Sequence, residues 1–115
     1  MNFVDGIVAE DGRSAVLSLP DEPHVAFDNT LEPGLSVTVG MRPEFLHVSE
    51  EGKGFRVPIG VVESTGSLSY YTTDTDPELM LMEQGRSQLK VGESAWLRIA
   101  PENVHLFIPS TGLAV

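Results

Sequence analysis

The segment from residue 63 to residue 71 holds side chains suited to bind a small polar molecule. Glu63 supplies a carboxylate, Ser67 lies in a Gly-Ser step, and Tyr70 is followed by a second tyrosine. Groups of this kind can hydrogen-bond a polyol, and the hydroxyls can also donate to an oxyanion. The alternative interpretation is an ordinary hairpin with exposed tyrosines.

A second candidate is the corner formed by Arg42, Pro43 and Glu44. The proline ring fixes one backbone angle, so the guanidinium and the carboxylate flank a rigid turn. They could contact a ligand there, or they could form a salt-bridged corner with a purely structural role. The candidate ligand or regulatory residues are therefore Arg42, Glu44, Glu63, Ser67 and Tyr70.

The patterns that catalysis and metal binding require are missing. The segment Gly52-Lys53-Gly54 is a turn and does not match the glycine-rich phosphate loop, and residues 66–70 lack the final glycine of a nucleophile elbow. The three histidines, at positions 24, 47 and 105, have no pair at metal-ligand spacing, and there is no cysteine. We therefore expect no enzyme activity, no metal and no cofactor in this chain.

The charge and the length narrow the class of protein further. Seven Lys and Arg residues against 17 Asp and Glu residues give a formal net charge of −10, which repels nucleic-acid phosphates. A chain of 115 residues can close one core, so we expect a single domain over residues 1–115. No run approaches the roughly 18 consecutive apolar residues of a membrane helix. The lack of cysteine fits a cytoplasmic protein.

Short segments with alternating apolar and polar residues recur between glycines and prolines, which predicts an all-β fold. Eight strands are expected, at residues 3–9, 13–19, 36–42, 55–64, 67–74, 79–83, 95–100 and 105–108. Residues 20–33 are expected to form a surface loop with at most a brief strand around 24–27. A proline is well placed at the first position of a helical turn, so Pro43 and Pro101 should each open one such turn.

The chain also contains an internal repeat. Pro43 and Pro101 align at an offset of 58 residues, and eight further positions agree at the same offset. The aligned pairs are Gly34 with Gly92, Ser36 with Ser94, Val39 with Leu97, Met41 with Ile99, Glu44 with Glu102, Leu46 with Val104, His47 with His105 and Val48 with Leu106. Two pseudo-repeated strand units, at about residues 3–52 and 55–108, are therefore expected to close an OB-type β-barrel with short helical turns.

An apolar run at residues 79–82 interrupts the alternating pattern. Methionine adapts well to contact surfaces, so this run could pack into the core or form part of a subunit interface. Together with one residue of the preceding hairpin, the interface candidates are Leu68, Leu79, Met80 and Met82.

In this order, these segments resemble the transport-associated OB-type (TOBE) domain at the C-terminus of ATP-binding subunits of maltose, glycerol-phosphate and related carbohydrate importers. The resemblance covers nearly the whole chain and rests on the start Met1-Asn2-Phe3 with Gly6, and on residues 39–44, 61–67, 91–92, 101–107 and 111–112. Arg42, Glu44 and Glu102 match the corners of the family motif, where a structural role is expected first. The segment from Tyr70 to Gly85 departs most from the family pattern.

The resemblance implies a regulatory and dimerisation domain of an ABC importer, with a homodimer partner and contact with the membrane subunits through the parent ATPase. ATP and Mg²⁺ would bind in the upstream ATPase domain, and Met1 would be internal to the parent chain. It also implies a cytoplasmic location at the inner face of the membrane and possible regulation by a protein or a small solute. The alternative is a free-standing OB-type protein that binds an oxyanion or a polyol.

The absence of a phosphate loop generates a first prediction. Because the chain has no glycine-rich cradle and its net charge of −10 disfavours polyanions, the 115-residue chain should neither bind nor hydrolyse ATP. A colorimetric phosphate-release assay and nucleotide titration by calorimetry should both match a buffer blank. Sustained phosphate release from protein free of contaminating ATPases would contradict the prediction.

Overall fold

The computed structural model describes residues 1–85 and 89–114. Its ten strands are β1 Asn2–Val8, β2 Ser14–Leu17, β3 His24–Ala26, β4 Ser36–Met41, β5 His47–Ser49, β6 Phe55–Ser64, β7 Leu68–Thr73, β8 Met80–Gln84, β9 Ser94–Arg98 and β10 Val104–Phe107. Two 3-10 turns, Pro43–Phe45 and Pro101–Asn103, follow β4 and β9.

The strands form two five-stranded sheets that exchange one strand each. The first sheet has the order β10-β4-β1-β2-β3, and the second has the order β5-β9-β6-β7-β8. Each half of the chain thus contributes four strands to one sheet and its last strand to the other. The two halves have the same order of strands and turns, which confirms the prediction of two pseudo-repeated strand units.

The two 3-10 turns direct this exchange. Each turn begins with a proline. The backbone N–H of the residue after the turn donates to the carbonyl of that proline, from Leu46 to Pro43 and from Val104 to Pro101. The flanking residues have extended backbone angles, so the chain leaves each turn directly as a new strand. The prediction that Pro43 and Pro101 open short helical turns is therefore confirmed.

Strict alternation of buried and exposed residues explains how each sheet covers the core. In β1, Val4 and Val8 are buried whereas Phe3 and Ile7 are exposed, because successive strand residues point to opposite faces. The core draws fully buried side chains from both halves, among them Leu17, Val37, Val39, Met41, Leu46, Ile59, Leu81 and Leu97. Ile99 is only partly buried and lies just past the end of β9 at Arg98.

One strand, β5, was not among those expected from the sequence, whereas β3 is the brief strand expected around residues 24–27. β3 lies inside the segment assigned to a surface loop, and its Val25 together with Phe27 is buried in the core. β5 has only three residues and follows a 3-10 turn without a break, so no alternating pattern marks it. The segment 20–33 is therefore a loop only in part.

One side chain joins the first sheet to the edge of the second. The Asn2 side-chain amide donates to the carbonyl oxygen of Met80 at 2.7 Å, and the backbone N–H of Met80 donates to Asn2 Oδ1 at 2.8 Å. Asn2 lies at the start of β1 and Met80 at the start of β8. The pair of hydrogen bonds satisfies both outward-facing backbone groups of this edge residue.

Gly54 offers a test of this architecture. Its φ is +111°, and a Cβ atom there would overlap the carbonyl oxygen of Leu97 on the neighbouring strand. Gly54→Ala should therefore lower the free energy of unfolding by about 3 kcal/mol, since a strained backbone and a steric clash act together. Urea unfolding followed by tryptophan fluorescence measures the change.

Gly52 provides the matched control, because its φ of +81° is similar and a Cβ atom there would meet nothing within 4 Å. Gly52→Ala should cost only about 1 kcal/mol of backbone strain. Equal destabilisation by the two substitutions would show that the close approach to Leu97 is unimportant.

Candidate functional site

Most of the residues singled out from the sequence lie on one outer surface, which we call the β6–β8 face. Glu63 pairs with Tyr70, and Tyr70 pairs with Met82, so these three side chains form one row across the sheet. Directly opposed residues of antiparallel strands project to the same side. The adjacent rows place Leu68 and Met80 on this side as well.

The β6–β8 face is partly apolar and accessible. Met80 is 51% exposed and Val61 is 46% exposed, while Leu68, Tyr70 and Met82 are half-buried. Glu63 is exposed at one border. The face therefore offers a hydrophobic surface with a tyrosine hydroxyl and a carboxylate at its margin.

Leu79 was wrongly assigned to the interface candidates. Its side chain is fully buried, as is that of Leu81, whereas Met80 between them points outward. The run of four apolar residues hides this alternation in the sequence. Leu79 contributes to the core and is inaccessible to a partner.

A cavity of about 350 Å³ adjoins the β6–β8 face, where the first 3-10 turn packs against β8. Glu44 reaches it from the turn, and it is lined further by His47, Leu68, Met82, Glu83 and Gln84. Three sequence candidates, Glu44, Leu68 and Met82, thus meet here. Arg42 and Ser67 are both exposed and are close in sequence to the lining residues Glu44 and Leu68, but neither lines the cavity.

Glu83 closes the second sheet at this cavity. Its Oε1 accepts a hydrogen bond from the backbone N–H of Val48 at 2.7 Å, and His47 Nδ1 lies 3.7 Å from the same oxygen. These contacts join β5 and β8, the two edge strands of the second sheet. The sequence analysis missed Glu83. The only signal for it is a carboxylate that directly follows a run of apolar residues.

One carboxylate outside the face has a perturbed pKa. The backbone N–H of Arg13 donates to Asp11 at 2.9 Å, and this bond together with those from Ser14 lowers the pKa of Asp11. Asp11 lies in the turn between β1 and β2, where an ionised carboxylate holds the hairpin. It is far along the chain from the candidate residues and belongs to the fold.

Within residues 1–85 and 89–114, no group of three or more His, Asp or Glu side chains is arranged to hold a metal ion. Over the same residues, the structure contains no helix long and apolar enough to cross a bilayer.

Comparisons with known proteins find a family model and several relatives that match this chain. A family model described as the TOBE domain matches residues 39–107. The chain is 29% identical to the sn-glycerol-3-phosphate import ATP-binding protein UgpC of Psychromonas ingrahamii over 120 residues, covering 96% of this chain and 31% of that protein. It is 33% identical to the ABC transporter ATP-binding protein y4oS of Sinorhizobium fredii over 118 residues, covering 100% of this chain and 31% of that protein.

Among solved structures, the cytoplasmic molybdate-binding protein ModG with bound molybdate has a similar fold. The TM-score is 0.73 at 18% sequence identity, and the match covers 94% of this chain and 96% of the ModG chain. This likeness confirms the predicted OB-type β-barrel. Whereas the match covers nearly all of the ModG chain, this chain spans only about a third of the length of the two sequence relatives.

The closure by Glu83 generates a prediction. Glu83→Ala removes the acceptor of the Val48 N–H, so the free energy of unfolding should fall by about 1.5 kcal/mol and the Val48 amide should exchange faster with solvent. Hydrogen exchange followed by NMR measures the amide, and urea unfolding measures the stability. Glu63→Ala is the matched control, because this exposed glutamate lies in the same sheet. Unchanged exchange at Val48 would refute the closure.

Proposed function

The chain belongs to the TOBE domain family. We propose that it is the regulatory and dimerisation domain of the ATP-binding subunit of an ABC importer. The transported solutes would be sugars or glycerol-phosphate-like molecules. The domain itself would perform no catalysis.

The lengths of the relatives support this assignment. The UgpC and y4oS proteins align with almost all of this chain, yet the aligned part is 31% of each. Both names describe ATP-binding proteins of transporters. ATP and Mg²⁺ would therefore be bound by the remainder of such a subunit, which would also contact the membrane subunits. This arrangement would place the domain in the cytoplasm, peripheral to the inner face of the membrane.

The observation that carries the dimerisation role is the β6–β8 face. Met80 and Val61 are each about half exposed on a regular sheet, with Leu68 and Met82 beside them. In a two-fold dimer each contact occurs twice, so a modest apolar patch becomes a useful interface. Leu68, Met80 and Met82 would contact their counterparts in the second subunit.

Charge limits how strongly the isolated chain can associate. Two copies with a net charge of −10 repel each other, although salt confines this repulsion to charges within a Debye length of about 8 Å. Lasting interfaces bury roughly 1,000 Å² or more. We therefore expect the parent subunit to dimerise through several surfaces, of which the β6–β8 face is one.

The cavity beside this face is the proposed binding site for a regulatory protein or a small solute. Glu44, His47 and Glu83 line it, and Glu63 and Tyr70 lie on the adjoining face. A regulatory protein or a small polyol could engage these groups. Any change in the cavity would reach β5 and β8 directly, because the Glu83 contact with Val48 joins those strands. Nucleic acid is not a proposed partner.

The alternative function is free-standing binding of a small ligand, which the end-to-end match to ModG favours. An oxyanion ligand is opposed by the carboxylates of Glu44 and Glu83, since no lysine or arginine lines the cavity beside them. A polyol remains compatible with these groups. The sequence relatives favour the transporter assignment.

Cross-linking in the parent subunit tests the dimer. The chain has no cysteine, so Leu68→Cys or Met80→Cys would introduce a single thiol into this domain. We expect oxidation to yield a covalent pair of subunits from at least one variant, because residues near a two-fold axis approach their own copies.

Val91→Cys is the control, since Val91 is 64% exposed and lies outside the β6–β8 face. It should give no covalent pair under the same conditions. If neither Leu68→Cys nor Met80→Cys gives more covalent pair than Val91→Cys, the β6–β8 face is not the dimer contact.

A further inference from the structure

A second surface of the molecule lies mainly on the first sheet. An open groove of about 830 Å³ runs along the outer side of the first sheet. It is lined by residues of β1, β2 and β4 and by loop residues at positions 18–20, 22, 76 and 109. We propose that this groove binds a basic segment of a partner protein, in which lysine or arginine residues accompany apolar side chains.

The floor of the groove is apolar. Ile7, in β1, is 53% exposed although it lies inside a regular strand, and it is directly opposed by Val16 of β2. Pro20, which is exposed, continues the surface at one end, and Pro109 lies at its border. An exposed isoleucine among such neighbours offers contact area to an apolar side chain of a ligand.

The border of the groove is acidic. Asp5, Glu22 and Asp76 come from three separate segments, and all three are exposed. None of the lining residues is a lysine or an arginine. Among the described residues, no cation lies within ion-pair distance of these three carboxylates. The groove therefore combines apolar contact area with negative charge that has no counter-ion within residues 1–85 and 89–114.

The loop that carries Glu22 is held in place by backbone hydrogen bonds. The N–H of Glu22 donates to the carbonyl of Leu19 at 3.0 Å, and the N–H of Leu17 donates to the carbonyl of Pro23 at 2.8 Å. These bonds fix the loop against β2. The carboxylate of Glu22 is thereby attached to an ordered border of the groove.

Charge complementarity selects the occupant. A second copy of this chain, with a net charge of −10, would be repelled by the acidic border. A small molecule with one positive charge could satisfy only one carboxylate at a time. A peptide segment with several cationic side chains can reach all three while its apolar residues cover Ile7 and Val16. This role is separate from dimerisation, because the β6–β8 face belongs to the other sheet.

The test uses the 115-residue chain and three fluorescein-labelled synthetic hexapeptides. Lys-Leu-Lys-Lys-Leu-Lys carries charge and apolar side chains, hexalysine carries charge alone, and Gln-Leu-Gln-Gln-Leu-Gln carries apolar side chains alone. Fluorescence anisotropy should show at least five-fold tighter binding of the first peptide than of either other peptide. Affinity should fall as salt rises, because the contacts with the exposed carboxylates are screened.

Matched triple variants separate the groove from the overall charge. Asp5→Asn combined with Glu22→Gln and Asp76→Asn should weaken binding of Lys-Leu-Lys-Lys-Leu-Lys at least ten-fold. The control combines Glu10→Gln, Glu32→Gln and Glu51→Gln, which are exposed acids outside the groove. It removes the same three charges and should change the affinity less than two-fold.

A second pair of variants tests the floor. Ile7→Thr should weaken binding about five-fold, whereas Val61→Thr, at a 46% exposed valine of the β6–β8 face, should leave it unchanged. Circular dichroism confirms that each variant is folded. The proposal is overturned if wild-type protein fails to prefer the first peptide, or if the control triple variant loses as much affinity as the groove variant. Neither result bears on the dimer contact, which the cross-linking experiment tests separately.

Discussion

The exchange of strands between the two halves is the constraint on which the rest of the structure depends. β5 leaves the first half to pair with β9, and β10 returns from the second half to pair with β4. Neither sheet is complete without a strand from the other half, so both halves must fold together around one core. The turns at Pro43 and Pro101 make this possible, because they redirect the chain within three residues. A long connection at either position would leave the edge of β9 or β4 open.

The same constraint explains where the candidate sites lie. The inner sides of both sheets are committed to the core, so binding surfaces can form only on the outer sides and at the seams. The second sheet presents the β6–β8 face, and its seam between β5 and β8 holds the cavity closed by Glu83. The first sheet presents the acidic groove. The two repeated halves thus present two outer surfaces that differ in chemistry. Packing in the core restricts the residue types on the inner sides of the sheets, whereas it does not restrict those on the outer sides.

Much of this fold could be predicted from the sequence, and the failures have physical causes. Alternation revealed β1, whose one face covers the core over seven residues, and β6, whose residues Phe55, Val57 and Ile59 are buried in alternation. β5 has three residues and shows no period, so only its pairing with β9 defines it. Leu79 was misplaced because a continuous apolar run conceals which residues point inward. The bond from Val48 to Glu83 and the groove at Ile7 both join segments distant in sequence, and no local pattern encodes such contacts.

The hydrogen bonds between Asn2 and Met80 bear on how other chains can approach the molecule. An exposed edge strand invites β-augmentation, in which a foreign strand pairs with unused backbone groups, and uncontrolled pairing of this kind leads to aggregation. A side-chain amide mimics a peptide group, so Asn2 occupies the first outward-facing position of β8 as a neighbouring strand would. Sheet extension could therefore begin only beyond Met80, over the short remainder of β8. Asn2, a single residue from the opposite sheet, thus blocks strand pairing at the Met80 end of this edge.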